Sequence, residues 1–498
     1  MSNVTSRPSS TTDSEARRAP LPVKFKLLYG SGALVEGITT AALTYFLLFY
    51  LTAVCGLSGT LAGTAMFLGL MVDALLDPLI GLVSDNTHSR LGRRLPYLVF
   101  GTVPLAIAFA LLFSVPMTTG AVLMCYATLC SMAVRVGQSV FNLPYVAVGA
   151  EVTEDYDERS SVATWRVSFS MLGTFVAIGL GLGYFMAGPN GLNNRPAYIP
   201  FGWTCAALIC LGGLGGALAT RSVLPRLHAA APGKGAHGSA LRQFATELRD
   251  IFRNRSFVVL FVATLAFFVA QGMAGALAIY LNKYFWNLST SGVQLVLVGA
   301  TLGPFLGVPV YALLSRRVEK KKLTIINFMI FVVGQTWPPL ARLAGLFPDN
   351  ESLITGILFC NALLAGSALV GAAIGAQSMM ADAVDEHEHL FGVRREGLFF
   401  SGLAFAVKAA SGLGGFLAGA SLDLIHFPAE ILSKGGGVQL TDAAIRHLGL
   451  VAGPMPGLIT LLAPLTLLAY GLSRQRHSRI LQELKVRRHV EQEAWRVR

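Results

Sequence analysis

Asp73 and Asp77 lie four residues apart inside an apolar stretch of about 25 residues. An ionised side chain at the centre of a bilayer costs roughly 2.5–3.5 kcal/mol, so two on one helix need a function or a partner to persist. Residues at i and i+4 share a helical face, which lets both carboxylates converge on one small cation or share one proton. The alternative is a structural role, in which either aspartate pairs with a buried Arg or Lys to fix helix packing. Arg135, Ser139 and Asn142 fall at i, i+4 and i+7 and share a face too, with Gln138 beside them. A guanidinium there suits a carboxylate, phosphate or sulfonate on a solute, or an internal salt bridge to Glu36, Asp73 or Asp77.

The elements that must position these groups are membrane helices. The chain has 498 residues, 53% hydrophobic and 13% charged, and its mean hydropathy is +0.59. Soluble proteins carry about 25% charged residues. Apolar runs long enough to span hydrocarbon lie at 27–54, 58–84, 97–116, 119–147, 161–187, 198–220, 257–282, 291–315, 323–345, 352–381, 398–425 and 453–473. Twelve helices are expected.

The formal net charge of +12 is concentrated in loops and tails and reads as topology, which excludes nucleic acid as a partner. Arg17, Arg18, Lys24 and Lys26 precede the first run, Arg90, Arg93 and Arg94 follow the second, and Lys320, Lys321 and Lys322 follow the eighth. By the positive-inside rule both termini are cytoplasmic, in a cell (inner) membrane. Residues 1–26 are expected to form a disordered cytoplasmic tail, 27–220 and 257–473 two six-helix halves, 221–256 a central cytoplasmic linker, and 474–498 a basic cytoplasmic tail. That layout is the all-α major facilitator fold, with a solute site near the midplane. The six cysteines show no CxxC spacing and read as packing residues, and no metal set is expected.

The second run closes as Asp73-Ala-Leu-Leu-Asp77-Pro78-Leu-Ile-Gly81-Leu-Val-Ser-Asp85, followed by Ser89-Arg90-Leu91-Gly92-Arg93-Arg94. Further blocks are Asn142-Leu-Pro144-Tyr145, Glu154-Asp-Tyr-Asp-Glu158-Arg159, Ala381-Asp382-Ala-Val-Asp385 and Gly392-Val-Arg394-Arg395-Glu396-Gly397. Together they resemble the glycoside-pentoside-hexuronide:cation symporters of the major facilitator superfamily, the melibiose permease type, over nearly the whole chain.

That resemblance implies a cation site of Asp73 and Asp77 with Ser139 and Asn142 as neighbouring oxygen ligands, a set that suits a hard cation. It implies that Lys408 faces the aspartates and competes with the cation, and that Arg166 edges the solute cavity. Tyr145 is a candidate cavity residue, with packing the commoner role for an aromatic in a membrane helix, and Trp165 is either a membrane-interface anchor or a solute contact. Asp85, Arg90, Arg93 and Arg94 resemble the superfamily's cytoplasmic gating loop, with Asp382, Asp385, Glu388, Arg394 and Glu396 as its counterpart. His387 and His389 are expected to be solvated loop residues.

The chain departs from the pattern at the sugar clamp. The positions of the family's two sugar-gripping carboxylates and their tryptophan are here Gly37, Asn142 and Val146, while Glu36 stands next door on the first helix. The expected activity is secondary active symport of a small organic solute with Na⁺ or H⁺ by alternating access, by a monomer, without a cofactor. A sugar, a glycoside-like compound and an anion all fit. A lysolipid or other amphipath importer and a non-transporting membrane scaffold are the alternatives. No nucleophile elbow, HExxH or Walker loop supports an enzyme, and no filter repeat supports a channel.

Overall fold

The computed structural model describes residues 20–116, 120–188, 191–224, 251–428 and 440–496. Among them are twelve helices long and apolar enough to cross a membrane. These are α1 Val23–Val54, α2 Gly59–Asn86, α3 Leu95–Leu112, α4 Gly120–Glu151, α5 Tyr156–Phe185, α6 Arg195–Ser222, α7 Arg255–Phe285, α8 Thr290–Leu314, α9 Lys320–Leu343, α10 Glu351–Phe391, α11 Glu396–Leu424 and α12 Asp442–Leu468. A final polar helix, α13, covers Arg474–Arg496. The expected all-α polytopic fold is therefore present.

Local chemistry sets many boundaries. Asp155 accepts from the Glu158 amide at 2.8 Å to start α5, Asn254 from Phe257 at 3.0 Å to start α7, and Asn350 from Ser352 at 2.9 Å to start α10. Gly392 ends α10 in the left-handed region, φ 74°, where a side chain would be strained. This stop comes later than hydropathy places it, because Asp382 and Asp385 ride the helix as its last polar turns and do not form a loop.

The described residues fall into two compact units, one of 20–57 and 64–224, the other of 58–63, 251–428 and 440–496. In the first, α1 packs on α5 and α6, and α3 on α4 and α6. In the second, α7 packs on α11 and α12, and α9 on α10 and α12, so the same pairings recur. Most of the 221–256 linker, and the tail before residue 20, lie outside the described residues.

Candidate cation and solute site

Asp73 and Asp77 occupy one face of α2, Asp73 being 4% exposed and Asp77 half-buried. Ser139 of α4 brings its hydroxyl into hydrogen-bond contact with Asp73 Oδ1 and to 2.6 Å from Asp77 Oδ1. One hydroxyl carries one hydrogen. It can donate to only one carboxylate at a time, so the other carboxylate meets the hydroxyl oxygen.

Other oxygens gather on the same elements. Asn142 Oδ1 and Gln138 Oε1 are buried without a hydrogen-bond partner among the described residues. Pro78 and Pro144 lie within α2 and α4. A proline supplies no amide hydrogen, so the carbonyls of Ala74 and Val140, four residues back, lose their usual helical donors beside the carboxylates and Ser139.

The charges around this cluster sort into two sets. Asp73 is the carboxylate whose charge acts on Arg135, and Arg166 is the cation whose charge acts on Glu36. The charge of Arg135 on α4 is thus set against Asp73 on α2, and that of Arg166 on α5 against Glu36 on α1.

One sequence expectation changes here. Tyr145 does not line a cavity: it is fully buried. Its hydroxyl donates to the Tyr29 carbonyl at 2.6 Å, the Tyr29 hydroxyl donates to the Tyr145 carbonyl at 2.8 Å, and the two rings stack at 4.6 Å. The pair clips α1 to α4. Gly37 explains the lost clamp, because a Cβ there would fall 1.8 Å from the Ser170 carbonyl oxygen of α5. The backbones meet directly and leave no space for a side chain.

The gating charges divide as well. At the end of α2, Arg94 pairs with Asp85 at 3.1 Å and with Glu151, whose carboxylate also takes Arg93. Arg90 is exposed. Glu151, the last residue of α4, was not singled out from sequence, since nothing local marks a lone acid at a helix end.

In the second unit Lys320 holds Asp382 at 3.0 Å, and Arg394 binds Asp385 at 2.7 Å, Glu388 at 3.2 Å and Glu396 at 3.0 Å. Hydrogen bonds to Asp385 first, then to Glu396 and Glu388, hold the Arg394 guanidinium above its ordinary range. The C-terminal helix joins this network: His477 approaches Asp385 at 3.0 Å, Arg476 pairs with Glu386 at 3.1 Å, and Arg488 with Glu388 at 2.7 Å. His387 is not a solvated loop residue. It is 2% exposed and packs on Phe391 and Phe399 at 4.6 and 5.2 Å, because α10 continues past it. His389 remains near the surface, 3.6 Å from Glu483.

A separate cavity of about 440 Å³ lies wholly within the second unit. Phe267, Phe268, Phe328 and Phe400 form much of its wall, and Gln377 and Lys408 supply polar groups.

Comparison with known proteins fixes the class. The family described as MFS/sugar transport protein matches residues 28–474. The chain belongs to that family, within the glycoside-pentoside-hexuronide:cation symporter branch of the major facilitator superfamily. It is 26% identical to an uncharacterized symporter of Synechocystis, covering 93% of this chain and 96% of that protein. It is 28% identical to a Salmonella typhimurium protein provisionally named as a dihydroxypropanesulfonate exporter, over 97% of this chain and all of the relative. A solved mutant of the nucleoside transporter NupG shares the fold with a TM-score of 0.64 at 14% identity, covering 90% of this chain and 100% of that one. Family membership supports cation-coupled transport of a small solute by a multi-pass membrane protein.

Proposed function

We propose that Asp73, Asp77 and Ser139 form the coupling-ion site of a secondary active symporter that works by alternating access and takes Na⁺ or H⁺ with a small organic solute. The observation that carries this reading is the single Ser139 hydroxyl within reach of two carboxylates, one of them buried. A proton or a metal cation would complete that set and relieve the repulsion between the two carboxylates. Asn142, Gln138 and the proline-freed carbonyls add the hard oxygen atoms a metal cation needs.

The solute is a small hydroxylated organic anion. Arg135 and Arg166 of the first unit supply cationic groups, Gly37 has no room for the sugar-gripping carboxylate, and one relative is named for a hydroxylated sulfonate. The pocket of the second unit, lined by four phenylalanines and Lys408, favours a second reading, in which the solute is an amphipathic anion held there. The protein acts as a carrier and not as an enzyme, as a monomer without a cofactor, with both termini in the cytoplasm of a cell whose inner membrane it spans.

Solute counterflow and gradient-driven uptake in proteoliposomes test this, with a panel of hydroxylated acids, sulfonates and glycosides and separate Na⁺ and pH gradients. Asp77→Asn should keep counterflow and lose accumulation driven by the cation. Unchanged accumulation in that variant would refute the site.

A further inference from the structure

A cavity of about 330 Å³ at one end of the second unit shares no lining residue with the carboxylate site or with the phenylalanine pocket. That volume is at the lower edge of small-ligand sites, which run about 300–1,000 Å³. Its wall contains four cationic side chains, Arg316, Lys320, Lys321 and Arg474, against two carboxylates, Glu319 and Asp382. Asp382 is already matched by Lys320 at 3.0 Å. Lys321 donates to the carbonyls of Leu468 and Tyr470 at 3.1 and 2.7 Å, which fixes the end of α12 beside the cavity and adds positive charge there. Arg316 and Arg474 are exposed. Two helices, α9 and α13, also begin at the wall, at Lys320 and Arg474, so their positive dipole ends add to the side-chain charge.

The surroundings identify the source of the anion. Leu313 and Leu314, just before Ser315 and Arg316, are 69% and 44% exposed, and Leu465 and Leu468, just before Tyr470, are 53% and 65% exposed. Apolar helix surface therefore leads directly into a cationic cavity at the end of two membrane helices. A soluble anion has no use for exposed leucines beside its site, whereas a lipid has both an anionic headgroup and acyl chains.

We propose that this cavity binds the phosphate-bearing headgroup of an anionic phospholipid, with its acyl chains lying along the ends of α8 and α12. The phosphate oxygens take Arg316 and Arg474 as charge-assisted donors, and Ser315 and Ser473 line the wall where headgroup hydroxyls reach.

The test uses the purified full-length protein, stripped of lipid in detergent and titrated with phosphatidylglycerol or phosphatidylcholine while bound lipid is counted by native mass spectrometry. The intact protein should hold phosphatidylglycerol more tightly. Replacing both arginines, Arg316→Gln with Arg474→Gln, should weaken that lipid by about thirtyfold, the worth of two surface cations, and bring it near phosphatidylcholine. Arg474→Lys should keep the preference, as should Arg479→Gln, which lies on the same helix outside the cavity wall. Equal affinity for the two lipids, or a preference that survives the double replacement, overturns the proposal. So does displacement of phosphatidylglycerol by millimolar inorganic phosphate, which would assign the cavity to a free anion.

Discussion

Ser139 on α4 stands 2.6 Å from Asp77 on α2, and the same hydroxyl also touches Asp73. The helices are thereby tied through the groups that would bind the coupling ion, and the ion's arrival or departure must be felt by both. Hydrogen bonds to charged groups are worth about 1.5–3 kcal/mol. Ser139→Ala should therefore raise the cation concentration for half-maximal uptake by about ten- to hundredfold. The check is a cation titration of uptake at fixed solute, and an unshifted midpoint would remove Ser139 from the site.

Gly37 makes a second prediction, which separates packing from recognition. A methyl group at this position would collide with the Ser170 carbonyl at 1.8 Å, so Gly37→Ala must push α1 and α5 apart. The expected loss is about 1–3 kcal/mol, read as a lower thermal midpoint in detergent. Gly37→Asp, which puts a carboxylate where the family's sugar clamp has one, should destabilise further and confer no affinity for glycosides. A stable Gly37→Asp protein that binds them would show that the space exists.

Much of this was legible in the sequence, for reasons that differ from residue to residue. The spans and the Asp73–Asp77 pair follow from helical spacing and from the cost of charge in hydrocarbon, both of which act locally, whereas the link to Ser139 came from the family resemblance. Tyr145 could be placed in a cavity or in packing, because an aromatic on a membrane helix looks the same whether it faces a cavity or, as here, a stacked tyrosine more than a hundred residues away. His387 was misread because hydropathy ends a helix where polarity begins, although α10 runs on to Phe391. Glu151 and the C-terminal helix were missed because their partners are distant in sequence, and a lone charge carries no signal of whom it meets.

The third prediction concerns the end of α2, where four basic and acidic residues looked equivalent. Arg94 is 8% exposed and rests on Asp85 and Glu151, while Arg90 is exposed. Glu151→Gln removes the carboxylate shared by Arg93 and Arg94 and leaves the buried Arg94 with Asp85 alone. A loss of about 1–3 kcal/mol is expected, below the full cost of breaking a buried pair because one partner stays. Arg90→Gln should leave the midpoint unchanged. Thermal unfolding of both variants decides, and equal shifts would contradict the division.

Tyr29 and Tyr145 supply the last prediction, since each hydroxyl donates to the other residue's carbonyl and the rings stack at 4.6 Å. Deleting either hydroxyl, by Tyr29→Phe or Tyr145→Phe, should cost about 1 kcal/mol, because a buried carbonyl then loses its donor. The double variant should cost less than the sum, as expected for groups in direct contact. Solute affinity measured by counterflow should stay constant across all three, because Tyr145 is fully buried between helices and has no surface to offer a ligand. If Tyr145→Phe altered solute affinity while leaving the unfolding midpoint in place, the tyrosine would belong to the transport pathway and the α1–α4 clip would have to be reassigned.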